Sequence, residues 1–340
     1  MSGREDEIIW ALLIHLGRNM WKEGRPDGIA DHVRCDEKVW NDVTLHLSEC
    51  GGNMLVIDCA EAVEYPSHPE LAVKGTWSVD RMRRELDRLR SMGLEPIPKL
   101  NFSACHDGWL KHYGRMLSTA EYYRVVADVI RDTAELFGRP RFFHLGWDEE
   151  CDKLQKGFEM IVIRQGALWW HDMKFTTDEV KKYGCRPWIW SDKEWLEKDD
   201  FMANCPRDIV QSHWYYSPYF GEEALLERDD GKMREAWERM DLGNYNLHVV
   251  KELDDAGFDQ IPCGSNIYHD NNFPDFVRHC LKTVSRKHLL GFLIAPWNEV
   301  KKGKWDYDRG KYLAACDHIA GARGIVRASV REGAHQVYMK

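Results

Sequence analysis

The sequence predicts a single (β/α)8 barrel, one domain over residues 1–340, on three observations. First, eight short apolar runs alternate with amphipathic stretches at a spacing of roughly forty residues. Second, these runs are continuously apolar, which is typical of strands buried on both faces of a parallel sheet. Third, no Pro/Ser linker, low-complexity segment or change of composition divides the chain. A length of 340 residues is normal for such a barrel with extended loops.

The apolar runs define the expected strands. They are Ile8–Ile14, Met54–Ile57, Glu95–Leu100, Arg141–Leu145, Pro187–Trp190, Ile209–Trp214, Ile261–Ile267 and Phe292–Ala295. The amphipathic stretches between them predict helices, including Glu37–Ser48, Val79–Ser91, Ala120–Leu136, Lys232–Met240 and Phe276–His288. Ser118-Thr119 opens the third of these helices, and Gly93 follows the second. The stretch Cys151–Tyr183 is long for one connection and predicts an extended loop or extra helix after strand four.

An open doubly wound sheet is the alternative fold. Such a sheet would carry a glycine-rich phosphate turn after its first strand. The residues at that place, Gly17-Arg18-Asn19-Met20, do not form this pattern. We therefore favour the barrel.

The composition disfavours several classes of function. A net charge of −9 argues against nucleic acid and anionic lipid as partners, because both require clustered Lys and Arg. No apolar run approaches the roughly 18–20 residues of a membrane span. The first seven residues are polar, and the ten cysteines show no disulfide or C-x-x-C spacing. We expect a cytoplasmic protein with reduced thiols, no metal and no cofactor.

Tryptophan is unusually frequent, with fifteen in the chain. Some of these residues must belong to the core. An excess of indoles near strand ends is also what a sugar site requires, because the apolar face of a pyranose stacks on an indole ring. A neutral or weakly charged carbohydrate therefore fits the composition.

In a barrel of this kind, catalytic residues lie just after the strands, at their carboxyl ends. Those positions hold His15, Arg18, Asp58, Glu61, Asn101, His106, Asp148, Glu149, Trp190, Asp192, Trp214, Tyr268, Asp270, Trp297 and Glu299.

Cleaving a glycosidic bond needs a carboxylic acid with a raised pKa to protonate the leaving oxygen. Asp148 and Glu149 are adjacent after the fourth strand, so their closeness favours keeping one of them protonated. The alternative is a pair of solvated loop acids that cap the following helix.

The segment His144-Leu145-Gly146-Trp147-Asp148-Glu149 resembles the His-x-Gly-Gly-Asp-Glu motif of family 20 glycoside hydrolases, the β-N-acetylhexosaminidases. Shorter matches follow other strands in the family's order. After strand one, Arg18 matches the Arg of the family's Asp-x-x-Arg, and after strand three, Pro98 to Asn101 with His106 match Pro-Glu-Ile-Asp and Pro-Gly-His. After strands seven and eight, Tyr268 to Asp270 match Tyr-x-Asp and Trp297 to Glu299 match Trp-x-Glu. Trp190 and Trp214 stand where the family has pocket indoles, on strands five and six. The likeness covers about residues 8–320.

The resemblance implies retaining, exo-acting, substrate-assisted hydrolysis of a β-N-acetylhexosaminide. Glu149 would be the general acid and then the general base, and Asp148 would orient the 2-acetamido N–H. Tyr268 would hydrogen-bond the acetamido oxygen, which attacks the anomeric carbon. The sugar hydroxyls would be bound by Arg18, Asp270 and Glu299. The acetamido methyl would be enclosed by Trp190, Trp214 and Trp297. His106 would lie beside Glu149. His144 is a further candidate for substrate binding, although a satisfied core histidine is the alternative.

This sequence departs from the family pattern at several positions. Trp147 replaces the second glycine, which predicts a bulkier approach to Asp148. His15 replaces the first Asp, and Lys99 and Asn101 replace acids of the third-strand motif. Strand one begins at Ile8, so the α/β domain that usually precedes the family's barrel is not expected. These changes leave the substrate less certain than the reaction type.

Three alternatives remain open. A divergent glycosidase could act on a plain β-glycoside with a second carboxylate, Asp192 or Glu299, as nucleophile. A metal-dependent barrel hydrolase or isomerase would usually show His-x-His ligand pairs, which do not follow strand one. A non-catalytic sugar-binding barrel would tolerate Glu149→Gln. The configuration of the sugar, the aglycone and the oligomeric state stay open, and exposed aromatics are compatible with a homodimer.

Overall fold

The computed structural model describes residues 8–19, 29–153, 155, 161–220, 231, 232, 235, 246–297 and 305–338. Eight strands form one parallel sheet in the order β6-β5-β4-β3-β2-β1-β8-β7. Their bounds are β1 Ile9–His15, β2 Met54–Asp58, β3 Glu95–Lys99, β4 Phe142–His144, β5 Arg186–Trp190, β6 Val210–Ser212, β7 Cys263–Gly264 and β8 Gly291–Ile294. Parallel bridges of Gln211 with Gln260 and of Trp214 with Cys263 join β6 to β7. The predicted (β/α)8 barrel is therefore confirmed, and each strand overlaps its predicted range.

The helices lie between the strands. They are α1 Glu37–Glu49, α2 Val79–Ser91, α3 Ala120–Leu136, α4 Gly166–Lys182, α5 Lys193–Leu196, α6 Lys198–Asn204, α7 Val249–Asp255, α8 Asn272–Thr283 and α9 Trp305–Tyr338, with 3-10 turns at Ala60–Ala62, Pro69–Leu71 and Gly108–Arg115. Asp36, Ser78 and Thr119 cap α1, α2 and α3 with side-chain oxygens that accept backbone N–H groups. The predicted helix Lys232–Met240 falls mostly outside the described residues.

The long connection after β4 consists of an extended loop followed by α4. This helix packs on α3 and β5, as an ordinary crossover helix of the outer ring does. The predicted extended loop accounts for the described residues 145–153, 155 and 161–165, and the helix of this connection is the crossover helix itself.

The barrel interior changes from apolar to polar toward the carboxyl ends of the strands. Alternate residues point inward, so Ile9, Ala11 and Leu13 of β1 lie in the inner core cluster. The next inward residue of β1 is His15, which is in register with Asp58, and Asp58 is in register with Lys99. Since these buried polar residues end the strands, the mouth of the barrel is where chemistry can take place.

The C-terminal helix α9 packs against α1 and α8. Tyr312, Ala315 and Ile319 of α9 are buried, and Arg309 forms an ion pair with Asp42 of α1 at 2.7 Å. These contacts hold α9 against α1. Within the part of the chain that is described, no helix combines the length and apolarity needed to cross a bilayer.

Candidate active site

The segment after β4 has an unusual backbone. Gly146, Trp147 and Glu149 have positive φ angles of 71°, 70° and 59°. A Cβ at position 146 would lie 2.1 Å from Oδ1 of Asn101, so only glycine fits there. For the two non-glycine residues, the left-handed conformation costs on the order of 1–2 kcal/mol each. Backbone strain of this kind concentrates at functional sites because surrounding contacts must hold it in place.

The Trp147 side chain points away from the barrel mouth. Its indole N–H donates to the Thr176 hydroxyl of α4 at 3.0 Å, and its ring meets that of Trp169 edge to face at 5.2 Å. The indole is only 1% exposed. The replacement of the motif's second glycine therefore anchors the loop to α4, and the approach to Asp148 is not narrowed by this ring.

A buried ion pair fixes the other end of the segment. Arg164 binds Glu150 at 2.5 Å, and both side chains are at most 3% exposed. Glu150 also accepts the backbone N–H of Ala104 at 3.0 Å, while Arg164 donates to the carbonyl of Phe102 at 2.7 Å. The loop that carries Glu149 is thereby tied to the loop after β3.

Asp148, Glu149 and His106 form one contact group. His106 Nε2 lies 3.2 Å from Glu149 Oε2 and 3.4 Å from Asp148 Oδ2. Asn101 Nδ2 donates to Asp148 Oδ1 at 2.7 Å, so the Asn that replaces an acid of the family motif holds this carboxylate. Burial opposes protonation of His106, but the charge of Asp148 and the hydrogen bond to Glu149 raise its pKa above the ordinary value. His106 between two carboxylates can orient Glu149, and its protonated form, which they favour, balances their charge.

Asp192 is a third carboxyl group at this place. Its Oδ2 accepts the backbone N–H of Glu149 at 2.8 Å, and among the described residues its buried Oδ1 has no hydrogen-bond partner. Burial and the neighbouring Asp148 raise the pKa of Asp192 to about 8. At neutral pH Asp192 is therefore mainly a neutral acid that holds the strained backbone of Glu149.

Aromatic rings from three strand ends form a wall beside the acids. Trp297 lies 5.7 Å from Trp190 and 6.2 Å from Tyr216, and Tyr216 stacks on Trp214 at 5.1 Å. Trp297 also has a positive φ of 54°, like the residues after β4. Tyr216 thus links Trp214 to the Trp190–Trp297 pair, and burial raises the pKa of Tyr216 well above its ordinary value. Tyr216 therefore stays a hydrogen-bond donor at neutral pH.

A polar group lies at the ends of β1, β2 and β3, where the His15 ring is 5.9 Å from that of Trp297. Lys99 donates to Asp58 at 2.5 Å, and His15 Nδ1 lies 3.3 Å from the same carboxylate. Burial lowers the pKa of His15 to about 4. Burial alone would raise the pKa of Asp58, but Lys99 and His15 hold it below the ordinary value. The unexpected Lys99 thus forms a buried ion pair with Asp58 at the strand ends, with the His15 ring beside it.

Other predicted site residues lie in different surroundings. His144 is fully buried between Trp188 and Trp190, with ring distances of 4.9 and 4.6 Å, and burial lowers its pKa well below the ordinary value. Arg18 follows β1, where its backbone N–H donates to Glu61 at 2.9 Å.

The two residues predicted after β7 are not gathered into this group. Tyr268 is 71% exposed. The Asp270 side chain is 78% exposed and lies 3.6 Å from Lys311. Glu299 is outside the described residues, so its predicted role stays a prediction.

Sequence reasoning misses Tyr216 and gives Asp192 a different role from the one that this geometry indicates. Tyr216 follows β6 two positions after Trp214, and the period of two in an extended chain could have assigned it to the same face. Asp192 was considered only as a nucleophile. Its contact with the backbone of Glu149 joins two separate loops, and no sequence pattern could have shown that.

The same group could also hold a cation. Ligand atoms of His106, Asp148 and Glu149 lie within 4.8 Å of one another. One imidazole and two carboxylates are acceptable ligands for a divalent ion. This possibility requires a chelation test beside any activity measurement.

The fold and the site together define a (β/α)8 barrel with an acid-rich, indole-walled mouth. Comparison with solved structures relates this barrel to known ones. The β-N-acetylhexosaminidase from Bacteroides fragilis superimposes with a TM-score of 0.57 at 13% identity, over 91% of this chain and 65% of that one. Dispersin B superimposes with a TM-score of 0.56 at 14% identity, over 92% and 98% of the two chains.

A third structure contains a sugar. The family 20 exo-β-N-acetylglucosaminidase from Vibrio harveyi, in complex with N-acetylglucosamine, gives a TM-score of 0.56 at 14% identity, over 96% of this chain and 58% of that one. This chain thus spans less than two thirds of the Bacteroides and Vibrio enzymes. No protein-family model and no curated protein matches the sequence. The expected resemblance to the barrel of family 20 enzymes is confirmed, and at these identities it concerns the fold.

Proposed function

We propose that the protein is a glycoside hydrolase that cleaves β-linked 2-acetamido sugars by substrate-assisted catalysis. The observation that carries this proposal is the contact group of Glu149, His106 and Asp148 beside the indole wall. Glu149 Oε2 lies 3.2 Å from His106, and Asn101 holds Asp148 at 2.7 Å. The fold likeness supports the proposal, since one of the similar barrels holds N-acetylglucosamine.

In the first step, Glu149 gives its proton to the glycosidic oxygen. The acetamido carbonyl oxygen forms a bond to the anomeric carbon as the bond to the leaving oxygen breaks. Because this nucleophile belongs to the substrate, its proximity supplies much of the rate enhancement. In the second step, the Glu149 carboxylate takes a proton from water, whose oxygen attacks the anomeric carbon and reopens the oxazolinium ring. The acetamido oxygen attacks the face opposite the leaving group to form the oxazolinium ring, and water attacks the other face, so two inversions leave the configuration retained.

Asp148 would accept a hydrogen bond from the acetamido N–H, which directs the carbonyl oxygen toward the anomeric carbon. The donor to that oxygen would be Tyr216. Its ring belongs to the indole wall and its hydroxyl lies 4.0 Å from Cys263 Sγ, whereas Tyr268 is 71% exposed. If the loop after β7 closes over bound sugar, Tyr268 would contribute as the resemblance implies. Arg18, Asp270 and Glu299 would bind the ring hydroxyls.

The raised pKa of Asp192 predicts that the rate of the proposed reaction depends on pH. The pKa of Asp192 is raised to about 8, so its neutral form predominates below pH 8 and its charged form above. We expect kcat of the wild type to fall above pH 8, because a second charge beside Asp148 disturbs the backbone of Glu149. Asp192→Asn keeps an acceptor for the Glu149 N–H but cannot ionise, so this alkaline fall should disappear.

The measurement is a pH profile of kcat for the wild type, Asp192→Asn and Asp192→Ala. The alanine variant lacks the acceptor, and its kcat should be reduced at every pH. The exposed Asp199→Asn serves as the matched control and should keep the wild-type profile. An unchanged alkaline fall in Asp192→Asn would contradict this role.

The proposed function is tested with chromogenic β-glycosides that differ only in the 2-substituent, acetamido or hydroxyl. We expect turnover to be concentrated on the acetamido substrates and to survive a strong chelator. A preference for plain hexosides would replace the substrate-assisted step by a carboxylate nucleophile. Loss of activity on chelation would favour a metal-dependent hydrolase instead. Absence of turnover combined with sugar binding would point to a non-catalytic barrel.

A further inference from the structure

A cluster of metal-ligating side chains lies far from the barrel mouth, between the first and the last helix. His46 and Cys50 are four residues apart at the end of α1, where the Cys50 N–H donates to the His46 carbonyl at 2.8 Å. Residues at this spacing share one helix face. Asp317 of α9 faces them, with Oδ1 2.8 Å from His46 Nε2.

We propose that His46, Cys50 and Asp317 form a binding site for a divalent ion such as Zn²⁺, which would link α9 to α1. The three ligands are an imidazole nitrogen, a sulfur and a carboxylate oxygen, and this set suits Zn²⁺. Solvent would take the fourth position, since His46 and Asp317 are 32% and 66% exposed. The role is structural, because the proposed reaction uses none of these residues.

The distances between the ligand atoms already approach those of a tetrahedral site. Cys50 Sγ lies 3.5 Å from His46 Nε2 and 3.7 Å from Asp317 Oδ1. With Zn–S near 2.3 Å and Zn–N and Zn–O near 2.0 Å, tetrahedral ligand atoms are about 3.3–3.6 Å apart. Only the His46–Asp317 distance has to open, by roughly half an ångström from its 2.8 Å. The carboxylate is on an exposed side chain and can make this movement.

The second nitrogen of His46 also has a suitable neighbour. Nδ1 of His46 lies 3.7 Å from Glu49 Oε2. A carboxylate near the free nitrogen of a metal-binding histidine favours the N–H on that nitrogen and leaves the other nitrogen's lone pair for the metal. When an ion replaces the proton that Nε2 shares with Asp317, Glu49 is the nearby acceptor for the N–H on Nδ1.

Binding requires that the ion displace the thiol proton. Burial and the charge of Asp317 raise the pKa of Cys50 to about 11, so the free thiol is protonated at neutral pH. On binding, Cys50 forms a metal–sulfur bond and releases one proton to solvent. The thiolate and Asp317 carboxylate together balance the two charges of the ion.

An ion bound at this site would stabilise the packing of the last helix against the first, and with it the closed barrel. His46 and Asp317 are 271 positions apart, and the side chain of Arg323 also binds the Gly51 carbonyl at the end of α1. An ion that binds only the folded chain stabilises it by mass action. At a concentration 100-fold above Kd, we expect the Tm to rise by roughly 5 °C.

The test uses the full chain, stripped of metal with a chelator and titrated with Co²⁺ and Zn²⁺. We expect one equivalent of Co²⁺ to give the thiolate-to-metal absorption band and the visible bands of tetrahedral cobalt, and Zn²⁺ to abolish them. Cys50→Ser should remove the thiolate band. His46→Ala should weaken binding at least 10-fold and, at the same metal concentration, reduce the Tm rise to about half or less.

Two controls separate this site from others. Cys35→Ser alters another half-buried thiol and should keep both the band and the Tm rise. Glu149→Gln alters the acid group at the mouth, which holds no thiol ligand, and should keep the band as well. Because the readouts are spectra and Tm, the result is independent of the proposed hydrolysis. A band that persists in Cys50→Ser, or no band in the wild type, overturns the proposal.

Discussion

Replacing Glu149 by Gln is expected to lower kcat on acetamido β-glycosides by about 10³-fold, within the range usual for loss of a general acid–base catalyst. Glutamine keeps the size of the side chain and its contact with His106, which is 3.2 Å in the wild type. It can neither give a proton to the leaving oxygen nor take one from water. Substrate binding should therefore be retained while turnover is lost.

The leaving group provides the decisive measurement for Glu149→Gln. A nitrophenolate leaves without much protonic assistance, whereas a sugar alkoxide does not. The loss in the glycosylation step should thus be larger for a disaccharide than for a nitrophenyl glycoside. Glu197→Gln, a glutamate with a 45% exposed side chain, is the control and should retain full activity. Equal losses on both substrates would show that Glu149 is not the acid.

Removing Arg164 is expected to have the largest effect on stability. Arg164→Met would leave the carboxylates of Glu150 and Asp172 buried without their cation, which lies 2.5 and 3.3 Å away in the wild type. Breaking a buried pair in this way costs about 3–5 kcal/mol of the free energy of unfolding. The guanidinium group also lies 4.2 Å from the ring of Trp147, so a packing contact is lost too. Chemical denaturation measures the difference.

A matched arginine pair near the barrel surface provides the comparison. Arg141 binds Glu95 at 2.7 Å, but their side chains are 34% and 22% exposed. Arg141→Met is expected to cost about 1 kcal/mol or less, because solvent screens the pair. Similar losses for both variants would mean that the Glu150–Arg164 pair does not fix the loop after β4.

The fold could be predicted from the sequence because parallel barrel strands carry a strong local pattern. Runs such as Met54–Asp58 are apolar throughout, and turn residues separate them from amphipathic helices. The predictions were least accurate for β6 and β7, where the structure has only three and two residues in the strand. Strand ends depend on pairing partners, which a local pattern does not specify.

The sequence predicts which residues meet at the site only where the end of a strand determines the position of the residue. The Asp148–Glu149 pair and His106 do meet, since the carboxyl ends of neighbouring strands converge. The directions of side chains in loops follow from tertiary contacts instead. For that reason Tyr268, expected at the acetamido group, lies exposed, whereas Tyr216 joins the wall of rings.

The direction of the Trp147 indole has a consequence for how the proposed activity would evolve. Because Thr176 and Trp169 bind the ring on the α4 side, the tilt of the segment that carries Glu149 follows the distance between α4 and the sheet. Under the proposed function, substitutions in those helix residues would change proton delivery by Glu149 while every residue at the barrel mouth is conserved. Differences in rate would then arise from the outer ring of helices, with the barrel mouth unchanged.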